Sequence, residues 1–169
     1  MAWIIDTPRL GYPQITQTDT SAQVPLGTIC KAVDSTYGEG EFIYLLGVAN
    51  TVVGLAVTYN ATTYQTTILP NTANLSAPIA WAMSANVASQ YGWYQIEGLV
   101  TALKTAVKAD PAVNAQRIYI SATIGRVMQT SAAGKNILGA ARANLTTVTS
   151  TTSTVTLLVS RPHAQGPIT

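Results

Sequence analysis

The sequence predicts a mainly β fold: a compact β-barrel or β-sandwich with an extended N-terminal arm and a short C-terminal tail. Three observations lead there. Short runs rich in β-branched and aromatic residues recur along the chain, separated by Gly, Pro, Asn and Asp turn signals. The 169 residues suffice for one domain with its own core. Only 9% of them are charged while 47% are hydrophobic, against about 25% charged in an ordinary soluble domain. Disordered chains show the opposite composition, few apolar residues and high net charge.

Residues 1–27 form the arm. Pro8, Pro13 and Pro25 punctuate a stretch of Thr and Gln in which Trp3, Ile4, Ile5 and Tyr12 are isolated apolar points. Each proline removes a backbone donor and pushes its predecessor toward extended geometry, which disfavours helix and central strand alike. Such a segment either lies along a partner or packs back on its own domain, and large aromatics suit both uses.

The β-rich domain spans residues 28–160. Its extended candidates are 28–33, 41–46, 52–59, 63–69, 79–84, 92–100, 117–121, 123–129 and 148–160. Turn signals stand at Tyr37-Gly38-Glu39-Gly40, Pro70-Asn71, Asp110-Pro111 and Ala133-Gly134-Lys135-Asn136. In 92–100, Trp93 and Gln95 share one face while Tyr94 and Ile96 share the other. Large side chains on both faces suit a strand covered on both sides. Residues 99–108 fit two periods. Leu99, Leu103, Ala106 and Val107 would make the stripe of one short helix, and Gly98 with the preceding alternation would continue the strand. In the last candidate, Val155, Leu157 and Val159 fall on one face after a run of Ser and Thr. Residues 161–169 are the tail.

No charged side chain occurs between Phe42 and Ile96, and residues 42–59 make an uncharged run of 18, the threshold length of a membrane helix. Gly47 and Gly54 flank an Asn50-Thr51 turn signal inside it, and no Lys or Arg stands at its immediate edges to orient a span. Strand-turn-strand is the expected reading, with no membrane partner. Residues 1–100 carry a net −4 and residues 101–169 a net +6. The two parts either make opposite faces or interleave strand by strand.

Chemistry is sparse. Cys30 is the single cysteine, which excludes an intrachain disulfide and a multi-cysteine zinc site, and its setting is that of a buried strand residue. The N-terminus lacks the basic and apolar regions of a signal peptide, so the sequons at Asn60, Asn74 and Asn144 are expected to be chance matches in a cytoplasmic chain. His163, the only imidazole, lies between Pro162 and Ala164 with no platform for a catalytic base. Asp34, Glu39 and Glu41 read as solvated turn acids. Gly134-Lys135-Asn136 lacks the earlier glycine and the hydroxyl of a phosphate loop, and Gly38-Glu39-Gly40 lacks the third glycine of a dinucleotide fingerprint. No enzyme, cofactor or metal site is expected, and without a basic run no nucleic-acid partner. Trp81, Tyr91, Trp93 and Tyr94 offer either a stacking platform for a ligand or core rings.

Three stretches carry a resemblance. Residues 26–45, LGTICKAVDSTYGEGEFIYL, resemble the opening of head decoration (capsid cement) proteins of tailed bacteriophages. Residues 88–98, ASQYGWYQIEG, are similar to their central strand, and 160–167, SRPHAQGP, to their ending. The likeness runs from about Leu26 onward, with the intervening segments matched only in character. It implies a β-rich virion protein, assembled in the bacterial cytoplasm, that binds the outer capsid surface, often as a trimer, and stiffens the lattice. Its partners would be the major capsid protein and its own copies. In that picture residues 37–41 form a turn, and the arm and tail reach neighbours, with Trp3, Ile4, Arg9, Tyr12, Arg161, His163 and Gln165 as candidate contacts. Other roles open to such a chain are tail-tube, head-fibre or connector component, or a carbohydrate-binding module built on Trp81, Trp93 and Tyr94.

Overall fold

The computed structural model describes residues 3–5, 12–106, 117–143 and 153–167. Strands account for all of the regular structure in these residues, and they form a β-barrel with further strands packed outside it. In chain order they are β1 (Ile4–Ile5), β2 (Thr18–Asp19), β3 (Ile29–Asp34), β4 (Gly38–Leu46), β5 (Ala56–Tyr59) and β6 (Thr66–Ile68). There follow β7 (Ile79–Ala82), β8 (Tyr91–Ala106), β9 (Arg117–Ile120), β10 (Val127–Met128), β11 (Asn136–Arg142) and β12 (Thr154–Ala164). The barrel closes through the order β8-β10-β9-β11-β12 and back to β8, antiparallel except for the β8–β10 pair. Closure removes the edges that an open sheet would leave to unwanted pairing.

The 16-residue β8 organises the rest. Its first half pairs with β4, β7 and β2, and its second half pairs with β12 and β10. Glu97 is partnered by Glu41 of β4 and by Ser160 of β12, so the two neighbours lie along opposite edges of β8. A bulge sits at this point. Gly98 has φ +95°, and a Cβ there would stand 2.4 Å from the Glu39 carbonyl oxygen, which only glycine tolerates. The fully buried Gln95 side chain closes the bulge by donating to the carbonyls of Glu97 and Leu99, each at 3.0 Å.

The short helix near 99–108 does not form over the described part of that range. Residues 99–106 continue β8, with Val100, Ala102 and Lys104 buried at the strand period. The physical reason lies in β12, whose residues Thr154–Leu158 take Leu103–Leu99 as their antiparallel partners. Tertiary pairing overrides the local helical stripe. Residues 107 and 108 lie outside the described residues. The turn expected at 37–41 falls earlier, at 35–37, because Asp34 Oδ1 accepts from the backbone N–H groups of Thr36 and Tyr37 and closes the hairpin there. Gly38, Glu39 and Gly40 belong to β4 instead.

Three buried clusters follow from this layout. The barrel interior holds Val100, Ile118, Ile120, Val127, Ile137, Leu157 and Val159, closed over by Trp81 and Leu69. Ile43, Leu45, Tyr94 and Ile96 face β5 and β7 in a middle layer. Phe42, Tyr44 and Trp93 point the other way and pack with Trp3, Ile15 and Val24 into an N-terminal flank. The expectation that β8 is covered on both faces therefore holds. The uncharged block from Phe42 onward is strand-turn-strand, with the turn at 49–50, and no helix among the described residues is long and apolar enough to cross a membrane.

Candidate interaction surface

The residues singled out in the sequence fall into two groups on opposite faces of the β4–β8 pair. Trp3 lies in the flank, buried, with its ring edge-on to Phe42 at 4.9 Å. Ile4, beside it, is 73% exposed on β1, which pairs with β3 through Ile4↔Val33 and Ile5↔Ala32. Tyr12 is half-buried, its ring 5.7 Å from that of Trp93. Arg9 lies outside the described residues. Trp93 fastens this region by donating from its indole nitrogen to the Pro13 carbonyl at 3.0 Å. Tyr44 does the same at a second point, donating its hydroxyl to Asp19 Oδ2 at 2.7 Å. Burial and the Asp19 hydrogen bond push the Tyr44 pKa up, because both oppose a phenolate beside a carboxylate. Burial likewise pushes the Cys30 thiol up to about 12. A groove of about 490 Å³ lies between Ile4, Ile5, Tyr12 and Thr16.

The second group sits where β12 parts from β8. Up to Ser160 the two strands pair, and then Arg161 adopts φ +41° and β12 parts from β8 while staying paired with β11 through His163 and Ala164. Gly139 on β11 (φ +72°) answers that irregularity, since a Cβ there would stand 2.5 Å from the Ser160 carbonyl oxygen. His163 bridges to Pro78 and pairs with Leu138, and the Gln165 N–H donates to the Asn136 carbonyl. The Arg161 guanidinium reaches Glu41, which Lys31 also approaches at 3.7 Å, and lies 3.9 Å from Glu97. Four charges from four strands thus form one cluster, in which acids from the first 100 residues meet a base from the last part of the chain. At this place the interleaved arrangement of charge is realised.

The full distribution of charge was not legible in the sequence. Among the described residues, Asp19, Asp34, Lys104 and Arg142 are buried. With Lys31, Glu41, Glu97 and Arg161 engaged with one another, Glu39, Arg117, Arg126 and Lys135 remain, and Lys135 is held by Asn71 at 2.5 Å. Ile29, Val52, Val53, Val87, Ile124, Leu138 and Leu158 are exposed aliphatic side chains among the described residues. Trp81, Trp93 and Tyr94 are fully buried and present no ring face to a sugar. Among the described residues, no group of three or more His, Cys, Asp or Glu side chains is placed to hold a metal ion.

No family model matches the chain, and neither does any curated protein or solved structure.

Proposed function

We propose that this chain is a structural virion protein that binds the outer surface of a bacteriophage capsid and stabilises the lattice by bridging neighbouring subunits, as a trimer. The resemblance of residues 26–45, 88–98 and 160–167 to head decoration proteins suggests the role. The observation that carries it is the treatment of charge. A chain already poor in ionic residues buries four of those described and ties four more into one cluster, leaving a sparsely charged surface dotted with aliphatic side chains. Interface cores are depleted in charge in this way, and a surface with few charges costs little to desolvate against a protein partner. Binding only the assembled shell would stabilise that shell by mass action, without chemistry.

Co-sedimentation with mature capsids of the phage that encodes the chain tests the reading. Saturable pelleting at a fixed ratio to the major capsid protein is expected, and density on the outer surface of the particle in projection images. Protein that stays in the supernatant at every shell concentration overturns it. Density on the tail or at the portal transfers the chain to the tail-tube or connector role.

A further inference from the structure

Beneath Arg161, at the margin of the middle layer, lies a half-open pocket of about 160 Å³. Ile43, Ile79 and Ile96 make its floor, all of them buried, and Pro78 and Pro162 are among its walls. Ile29, 42% exposed, stands at its edge. The opening has a physical origin in the register. Where Arg161 takes φ +41°, β12 leaves β8, and Arg161, Pro162 and His163 of β12 border an open space beside Ile96. We propose that this pocket receives one aromatic side chain with a polar edge, that of Tyr or Trp, presented by a protein other than this chain.

Size sets the first part of that assignment. An apolar cavity of about 150 Å³ takes a benzene ring, so about 160 Å³ suits the aromatic group of one side chain and little more. Charge sets the second. Lys31 and Arg161 beside the mouth are balanced by Glu41 and Glu97, so the site selects a neutral group over an anion. The mouth sets the third, because Tyr59 and His163 line it with groups that can hydrogen-bond. His163 Nδ1 lies 2.8 Å from the Ala164 carbonyl oxygen, and in the tautomer that donates there Nε2 is an acceptor for an indole N–H or a phenol O–H. A polar-edged ring satisfies floor and mouth together, as Tyr and Trp do in the anchor pockets of interfaces. The source of the ring follows from the chain itself. Trp3, Trp81, Trp93, Phe42, Tyr44 and Tyr94 are buried and the remaining tyrosines are half-buried, so a second copy presents no fully exposed ring to insert. This inference does not depend on the capsid reading, and its test uses no shell.

The test is a titration of the isotope-labelled full chain with p-cresol, 3-methylindole, toluene and N-acetyltyrosinamide, read from amide chemical shifts. Saturable shifts grouped on Ile29, Tyr59, Ile96 and His163 are expected, with Kd of about 1 mM for p-cresol and severalfold weaker binding of toluene. Ile29→Arg, which lays a charged chain across the mouth, should weaken p-cresol at least tenfold, while Val53→Arg, at a distant exposed aliphatic, should not. His163→Leu, a milder change, should abolish the preference for p-cresol over toluene. Absence of saturable shifts overturns the proposal, and so does equal binding of toluene and p-cresol to the unaltered chain. Failure of N-acetyltyrosinamide to bind where p-cresol binds also overturns it, because a ring joined to a peptide backbone is then excluded. Self-association in sedimentation velocity that Ile29→Arg abolishes would place a second copy in the pocket and overturn the assignment to another protein.

Discussion

Inside the barrel the buried side chains are aliphatic almost throughout, Ile118, Ile120, Val127, Ile137 and Leu157 among them, on strands that pair in a closed ring. The flank around Trp93 is different in material and in construction. It packs Trp3, Phe42, Tyr44 and Trp93, with Tyr12 and Tyr91 at its border, and much of the chain that covers it is not in strands at all. Residues 12–27 are held there by ring contacts and by hydrogen bonds such as Trp93 to Pro13 and Tyr44 to Asp19. A ladder spreads its stabilisation over many backbone bonds, and a few side-chain fasteners concentrate it. The flank is therefore the unit expected to open first, below the global unfolding free energy.

Gly98→Val strikes the hinge between the two regions and should have the largest effect. The left-handed φ and the approach of the Glu39 carbonyl leave no room for a side chain. A loss of about 4 kcal/mol or more in chemical denaturation is expected, with both regions affected. Survival of either region with native exchange protection would show that they are not coupled through this bulge.

Two truncations then separate the regions. Trp93→Ala should cost about 3–5 kcal/mol and Ile118→Ala about 2–5 kcal/mol. Amide exchange tells them apart. Trp93→Ala should release residues 12–24 while Ile118 and Ile120 stay protected, whereas Ile118→Ala should shorten protection everywhere. Equal loss of protection in both variants would make the molecule a single cooperative unit.

Alkaline pH should reach the same distinction without mutation. Cys30, with its pKa raised from 9.0 to about 12 by burial, and Tyr44, raised by burial and by Asp19, both lie in the flank, and Tyr94, raised by burial, lies in the middle layer. The folded state holds these protons more tightly than the unfolded chain does. Their contribution to stability is complete below pH 9 and is lost as pH climbs from there toward 12. Thiol labelling of Cys30, followed from pH 8 to 11, should accelerate beyond its rise in thiolate before the barrel amides lose protection.

The smallest effect belongs to the ion cluster. Arg161 is well exposed, so Arg161→Ala should cost under about 1 kcal/mol, and less at high salt. A larger loss would mean that the guanidinium stem, not its charge, holds the bend of β12 in place.

Much of this architecture is legible in the sequence. The two-faced pattern of Trp93 to Ile96 announced a covered strand, and the Gly and Asn punctuation of the uncharged block announced strands rather than a span. What escaped has identifiable causes. Strand β11 was missed because its sequence, NILGAAR, is small and interrupted by the bulge at Gly139. Strand β12 runs on to Ala164 through Pro162, past the expected boundary at 160, because a proline costs nothing where the strand has already left one neighbour. The Asx turn at Asp34 is hidden in the sequence by the glycines that follow it, which carry the stronger local turn signal. Of the candidate contacts, the sequence grouped Arg161 and His163 by adjacency alone. Their meeting with Ile29, Tyr59 and Pro78 depends on long-range register, which no local pattern encodes.

The order in which the chain is made gives β8 one more consequence. Hairpin β3–β4 is complete once Leu46 has been synthesised, and β8 can join it some 60 residues later. The ring cannot close at that stage, because β12, the neighbour that seals it, lies almost 50 residues further on. At about 5–20 residues per second, the aliphatic face of β8 waits several seconds without its cover. A nascent chain halted before Thr154 would thus present a finished hairpin joined to an open, adhesive sheet, the form in which this protein is most in need of a chaperone.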